Sequence, residues 1–167
     1  MNFNINNLKN IALSHKAKFE KLSVKIRKLN SQKADKLFHD LHHKEFKKID
    51  CLKCANCCKT LGPRLKDADI EKLSKHLKIK PSEFFSKYLK IDDDNDYVFQ
   101  SMPCPFLAGD NFCLVYNSRP KACKEYPHTN QKNILGILNV CLKNTQICPI
   151  VFLIFKKLET ELQINKK

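Results

Sequence analysis

The feature that most constrains this chain is an eight-residue block, Cys51-x2-Cys54-x2-Cys57-Cys58. Four thiols packed this tightly are poorly placed to pair with one another, because a disulfide needs suitably opposed Cβ atoms. A soft cation can gather them, because thiolates are its preferred ligands. Cys-x-x-Cys in a tight turn aims two sulfurs at one point, and Cys57 extends the run to three corners of a cubane cluster. Adjacent cysteines usually point apart, so Cys58 is expected to reach a second metal or the far side of a multinuclear site. Five more cysteines follow: Cys104, Cys113, Cys123, Cys141 and Cys148. Cys104-Pro105 and Cys148-Pro149 have the remote Cys-Pro form that completes ferredoxin-type sites.

Whether those thiols stay reduced depends on compartment. The start, Met-Asn-Phe-Asn-Ile-Asn-Asn-Leu-Lys, lacks the apolar stretch of a secretory signal. The longest apolar run, Ile150 to Phe155, is far too short to cross a bilayer. A cytoplasmic, reducing location with no membrane contact is therefore expected, and nine cysteines there favour metal ligation over disulfides. The formal charge of +14 invites a nucleic-acid reading. Residues 1–50 carry 12 Lys and Arg against 5 Asp and Glu, and the remainder carries 19 against 12. The charge is spread along the chain and no recognition helix or stacking motif stands out. A solvated basic surface is the better account, with a zinc-type nucleic-acid-binding module kept as an alternative.

With 167 residues, 43% hydrophobic, three glycines and no tryptophan, the chain predicts a helix-rich domain with a real core. Ile5, Leu8, Ala12, His15, Phe19, Leu22, Ile26 and Leu29 form a 3-4 seam on a Lys-rich helix, interrupted only by His15. A second helix over 32–48 places Phe38, Leu41, His42, Phe46 and Ile49 on one side. The seam is expected to dock a partner helix, either that second helix or a second copy of the chain. Packing on the protein's own core is the alternative. Helices follow at Asp67–Leu77 and from Pro81 to about Leu89, where proline suits a first helical position. The acidic run Asp92 to Asp96 lacks the glycine and glutamate of a calcium loop and reads as a solvated turn. Tyr97–Phe99 reads as a strand, residues 106–116 as a hairpin turning at Gly109-Asp110-Asn111. Pro149 opens a C-terminal helix with Val151, Ile154, Phe155, Leu158 and Leu162 inward.

The cysteine motifs carry a resemblance. Asp50-Cys51-Leu-Lys-Cys54-Ala-Asn-Cys57-Cys58 is followed by Cys104-Pro-Phe-Leu and Cys113-Leu-Val-Tyr116. Arg119-Pro120-Lys-Ala-Cys123-Lys-Glu-Tyr126-Pro127-His128 and Cys148-Pro149 complete the series. Over about residues 42–150 the chain resembles the CxxCxxCC cysteine-cluster family of zinc- or iron-chelating domains. The resemblance implies metal binding without fixing the metal. A similar cluster occurs in flagellin lysine N-methylases, which keeps a metal-dependent protein-modifying enzyme as an alternative. No glycine-rich nucleotide or S-adenosylmethionine fingerprint supports a standalone methylase, and no catalytic residue is singled out.

The resulting expectation is a mainly α protein (small α+β). It has a helical N-terminal arm over 1–49 and, over 50–167, a metal-stapled cysteine domain with a short β-hairpin and a C-terminal helix. The ligand candidates are Cys51, Cys54, Cys57, Cys58, Cys104, Cys113, Cys123 and Cys148, with His42 and His128 as secondary ones. The metal would be zinc or iron, mononuclear, dinuclear or as an iron–sulfur cluster. Its role would be structural or accessory to modification of another protein. Cys141, in a less patterned stretch, reads as a small buried residue. His39 and His43, sharing a side with Asp35 and Lys47, read as solvated, and His15 and His76 as structural or exposed. A nucleophilic or redox cysteine is disfavoured because nothing distinguishes one thiol from the rest.

Overall fold

The computed structural model describes residues 7–164. In chain order the elements are α1 (Leu8–Ile26), α2 (Ser31–Phe46), α3 (Cys51–Cys54), α4 (Asn56–Thr60), α5 (Asp67–Leu77) and α6 (Pro81–Tyr88). These are followed by β1 (Leu89–Ile91), β2 (Tyr97–Phe99), α7 (Lys121–Glu125), α8 (Leu138–Asn144) and α9 (Pro149–Ile164), with 3-10 turns at Tyr116–Ser118 and Ile134–Ile137. The expectation of a mainly α chain with a short β-hairpin and a C-terminal helix holds. The chain divides into two compact units, residues 1–50 with 127–167, and residues 51–126. By packing, then, residues 127–167 group with the N-terminal helices. No single helix among the described residues is long and apolar enough to cross a membrane.

In the first unit, α1 buries Leu8, Ala12, Phe19, Leu22 and Ile26, the seam read from the sequence; Ile5 lies outside the described residues. Its main neighbours are α9 and α8, while α2 packs chiefly on α9. The expected docking on α2 or on a second copy is thus replaced by packing within the chain. The reason lies in α9, which buries Ile150, Val151, Phe152, Ile154, Phe155 and Leu158. So broad an apolar face can serve two helices at once. Phe155 shows this directly, with its ring 5.3 Å from Phe19 of α1 and 6.1 Å from Phe38 of α2. His15 is half-buried, its Nδ1 2.9 Å from the Ile11 carbonyl and its ring 5.4 Å from Phe152.

The polar face of α2 holds the returning chain. Asn30 caps the helix by accepting from the Gln32 N–H at 2.8 Å. Asp35 accepts from the N–H groups of Asn133 and Ile134 at 2.9 and 2.8 Å, satisfying donors at the start of the 134–137 turn. His39 Nε2 lies 3.0 Å from the Gln131 carbonyl, and His42 Nδ1 2.8 Å from the buried Thr129 hydroxyl. The expectation of a solvated His39 is therefore corrected. It belongs to a row of side chains, one and two turns apart on α2, that grips residues 129–134.

The second unit is built around Leu65, Ile70, Leu73, Phe84, Leu89, Phe99, Phe106 and Val115. Phe106 is its hub, with ring centroids 5.0 Å from Tyr88, 5.7 Å from Phe99 and 6.2 Å from Phe84. Pro81 opens α6 as expected. The paired strands are β1 and β2, antiparallel, with Leu89 opposite Phe99 and Ile91 opposite Tyr97. Their turn is closed by Asp92, whose Oδ1 accepts from the N–H groups of Asp94 and Asp96. The hairpin expected at 106–116 shrinks to a single bridge, Leu107 with Cys113. The turn itself forms where expected, with Asn111 at φ 69° and the Asp110 carboxylate accepting from the Phe112 N–H at 2.9 Å, but Leu114 and Val115 turn into the 3-10 segment Tyr116–Ser118 and end the pairing. Cys104 and Cys113 pack, partly buried, against this aromatic core.

Candidate metal centre

The cysteine block is two short helical segments meeting at a kink. Cys51 to Cys54 makes one turn, and the Ala55 N–H closes it on the Cys51 carbonyl at 2.8 Å. Ala55 then takes the left-handed conformation, φ 45° and ψ 17°, with its methyl buried. That conformation costs an L-residue about 1 kcal/mol, but it redirects the chain so that α4 starts on a new axis. Cys51 is exposed, while Cys54, Cys57 and Cys58 are half-buried. The sulfurs of Cys57 and Cys58 lie 3.9 Å apart. The expectation that these neighbours point apart is corrected, since at the start of α4 both lean to the same side.

Three elements bring further thiols to this place. The Cys104 N–H donates to the Cys58 carbonyl at 2.8 Å, so the Cys-Pro segment lies directly along α4. The bridge with Leu107 fixes Cys113, and the Asn111 amide reaches back to the Lys53 carbonyl at 3.2 Å. Cys123 rides on α7, whose first N–H, that of Lys121, donates to Asp69 Oδ1 at 2.9 Å. Asp69 Oδ2 accepts from the Lys66 N–H at 3.0 Å, so one buried carboxylate caps α5 and α7 together.

These thiols also act on one another through their charges. Cys58 is drawn down to about 7, first by its hydrogen bond with Cys57 and further by the Arg119 and Lys59 charges, against the effect of burial. Cys104 is pushed up to about 11 by burial, with the charges at Cys58 and Cys113 adding to it. Burial and the Cys58 charge also raise Cys113, with Arg119 opposing. Cys123 is pushed up to about 12 by burial and then by Cys104, Cys58 and Cys113. Each of these thiols feels the others, as groups in a common low-dielectric patch do. Arg119 acts on more of these thiols than Lys59 does. Its guanidinium carbon stands 3.6 Å over the Tyr116 ring and its Nε donates to the Tyr116 carbonyl at 2.8 Å.

The donor set fits a thiophilic metal: several sulfurs, partly withdrawn from water, with one acidic thiol among reluctant ones. Among the described residues no group of three or more His, Cys, Asp or Glu side chains is placed to hold a metal ion. The thiols are gathered rather than locked.

The structure thus brings together Cys57, Cys58, Cys104, Cys113 and Cys123, with Cys54 and the exposed Cys51 on the same short block. Cys148, His42 and His128 belong to the other unit. Cys148 is buried just before α9, and its N–H donates to the Asn144 carbonyl at 2.8 Å. His42 stacks on Phe46 at 4.5 Å and is lowered to about 4, by burial first and then by the His43 and His39 charges. His128 is half-buried at φ 66°. Cys141 is fully buried in α8, its thiol pushed up to about 12 by burial.

Two contributors were missed from sequence. Asp69 gave no cap signal because Lys66, not a serine or threonine, precedes α5. Arg119 stood in the quoted motif, without a role.

No curated protein and no solved structure matches the chain. The model of one family does match, that of CxxCxxCC, described as "Putative zinc- or iron-chelating domain", over residues 50–148. That span is more than half of the chain and contains every thiol of the gathered set, and the protein belongs to the CxxCxxCC family.

Proposed function

We infer that the second unit binds a transition metal, zinc or iron, through the thiolates of Cys57, Cys58, Cys104, Cys113 and Cys123, with Cys51 and Cys54 as further ligands. The observation that carries this reading is that five half-buried thiols from four chain segments fall in one compact unit, with Cys57 and Cys58 3.9 Å apart, Cys104 bonded through its N–H to Cys58, and Cys104 and Cys113 packed on the aromatic core. Burial, and then the neighbouring thiol charges, raise Cys104 and Cys123, and a bound cation offsets both costs of forming their thiolates. Cys58 supplies a thiolate near neutral pH. The remaining thiols lose their protons on ligation, so loading releases acid. Arg119 offsets the surplus negative charge of an all-sulfur ligand set. When bound, the metal supplies a structural cross-link or, as iron–sulfur, an electron-transfer centre. The centre serves as a structural staple or as an accessory to the modification of another protein.

Elemental analysis with an absorption spectrum, on protein purified without oxygen, tests the reading and separates the metals. Iron thiolate absorbs near roughly 400 nm, and a zinc site is colourless. Cys58→Ser and Cys104→Ser should each lower the metal stoichiometry. Full metal content in both variants would refute this ligand set.

A further inference from the structure

Beside the thiols, the chain carries an apolar face that packing leaves uncovered. From Phe112 to Tyr116 the residues alternate. Cys113 and Val115 turn inward, to the core of the second unit, while Phe112, Leu114 and Tyr116 turn outward at 47%, 60% and 40% exposure. Past the Leu107–Cys113 bridge the chain turns at Leu114 and Val115 into the 3-10 turn Tyr116–Ser118, and an exposed turn normally carries polar side chains outward. Here all three outward positions are large and apolar, and they are held in place. The Leu114 N–H donates to the Phe106 carbonyl at 2.9 Å, the Phe112 carbonyl accepts from the Ala108 N–H at 2.8 Å, and the Phe112 and Tyr116 rings stack at 6.3 Å. A fixed cluster of exposed apolar side chains marks an interaction surface more often than a single stray hydrophobe does.

The charge around the cluster selects the occupant. The Arg119 guanidinium carbon stands 3.6 Å over the Tyr116 ring, and among the described residues no carboxylate forms an ion pair with it. The Lys53 carbonyl anchors Asn111 at the other end of the segment. Asp110, two residues before Phe112, has its carboxylate engaged by the Phe112 N–H. A second copy of this chain would bring another formal +14 against a surface of the same sign. We propose that Phe112, Leu114, Tyr116 and Arg119 form a docking site for an acidic segment of another protein, one that presents large apolar side chains between its carboxylates. The apolar residues supply affinity by leaving water, and the arginine, stacked and pre-oriented, supplies the preference for carboxylate.

The test uses the intact protein and a library of short random peptides displayed for selection. The expected result is enrichment of peptides combining Asp or Glu with Leu, Ile or Phe. Their affinity should fall at least about tenfold in the double variant Phe112→Ser/Leu114→Ser and stay level in Val24→Ser, which removes an exposed apolar residue on α1. Affinity should also weaken with added salt. Circular dichroism and metal content show whether the double variant is folded. If it is not, Tyr116→Ser alone carries the same comparison. No enrichment, enrichment of basic peptides, or binding indifferent to these residues would overturn the proposal. So would self-association of the wild type in sedimentation that Phe112→Ser/Leu114→Ser abolishes, since the face would then belong to a second copy.

Discussion

Replacing Asp69 with alanine should loosen the second unit and, through it, the seat of Cys123. The carboxylate is 9% exposed and accepts two backbone N–H groups, from Lys66 at 3.0 Å and from Lys121 at 2.9 Å. A hydrogen bond to a charged group contributes about 1.5–3 kcal/mol, and leaving a buried donor unpaired can cost more. Both donors sit at helix starts beside long, exposed lysine side chains, where water can partly replace the lost oxygen. The lower edge is therefore appropriate, about 3 kcal/mol for the pair. For a chain of this length that corresponds to about 6–12 °C in melting temperature. Far-UV circular dichroism of the purified protein measures it, since no tryptophan is present. Asp69→Asn, which keeps one acceptor, should lose about half as much. Glu71→Ala, an exposed acid in the same helix, should lose well under 1 kcal/mol. Metal content should fall in Asp69→Ala as well, because α7 carries Cys123. A melting temperature equal to wild type would refute the double-cap argument. A large stability loss with undiminished metal would refute the link from Asp69 to the thiol cluster.

Asp35→Ala in the first unit removes acceptors from the N–H groups of Asn133 and Ile134, and should cost about 2 kcal/mol with faster amide exchange confined to residues 129–137. His42 sets an acid limit on the same unit. Its folded value, about 4, lies below its ordinary 6.5, so the unfolded chain binds the proton first. The contribution is intact above about pH 6.5 and is lost as pH falls toward 4; the imidazole is only half-buried, so screening leaves about 1–2 kcal/mol. His42→Gln should therefore flatten that part of the stability–pH curve, and an unchanged acid limb in the variant would count against it. Removing metal with a chelator should speed exchange in residues 51–60 and 119–126 and leave α1, α2 and α9 protected; loss of protection in α9 to the same degree would contradict it.

Local signals were legible wherever one side chain or one period decided the outcome. Pro81 marked the start of α6, the acidic turn 92–96 was read as such, and the 3-4 seam from Leu8 to Ile26 marked the buried face of α1. What covers that seam was not legible. An apolar stripe announces that it needs a partner but carries no address, and α9 lies more than a hundred residues away. Asp35, Asp69 and His42 were unreadable for the same reason. Their partners stand 99, 52 and 87 residues along the chain. The geometry of Cys57 and Cys58 failed differently. Neighbouring side chains were assumed to diverge, whereas the left-handed turn at Ala55 resets the axis just before them, and no glycine marks that turn. The 106–116 hairpin was cut short where Leu114 and Val115 turn into the 3-10 segment Tyr116–Ser118, a bend that no glycine or proline at those positions announces.

The helices that bear the thiols are the shortest in the chain: α3 has four residues, α4 five and α7 five. None could hold together alone, because helix nucleation is unfavourable and so few hydrogen bonds cannot offset it. None buries an apolar stripe of its own, either: α3, α4 and α7 contain no buried residue. Their order must come from outside them, from Ala55 seated in the core, the Cys58–Cys104 backbone bond and the Asp69 cap. These contacts gather the sulfurs without closing a cage around a metal. Burial keeps Cys104 and Cys123 protonated until a cation arrives, and the free energy of ligation would then order the segments that packing leaves weak. On this argument metal affinity and the stability of residues 51–60 and 119–126 are one quantity, and a substitution that weakens either should weaken both in proportion.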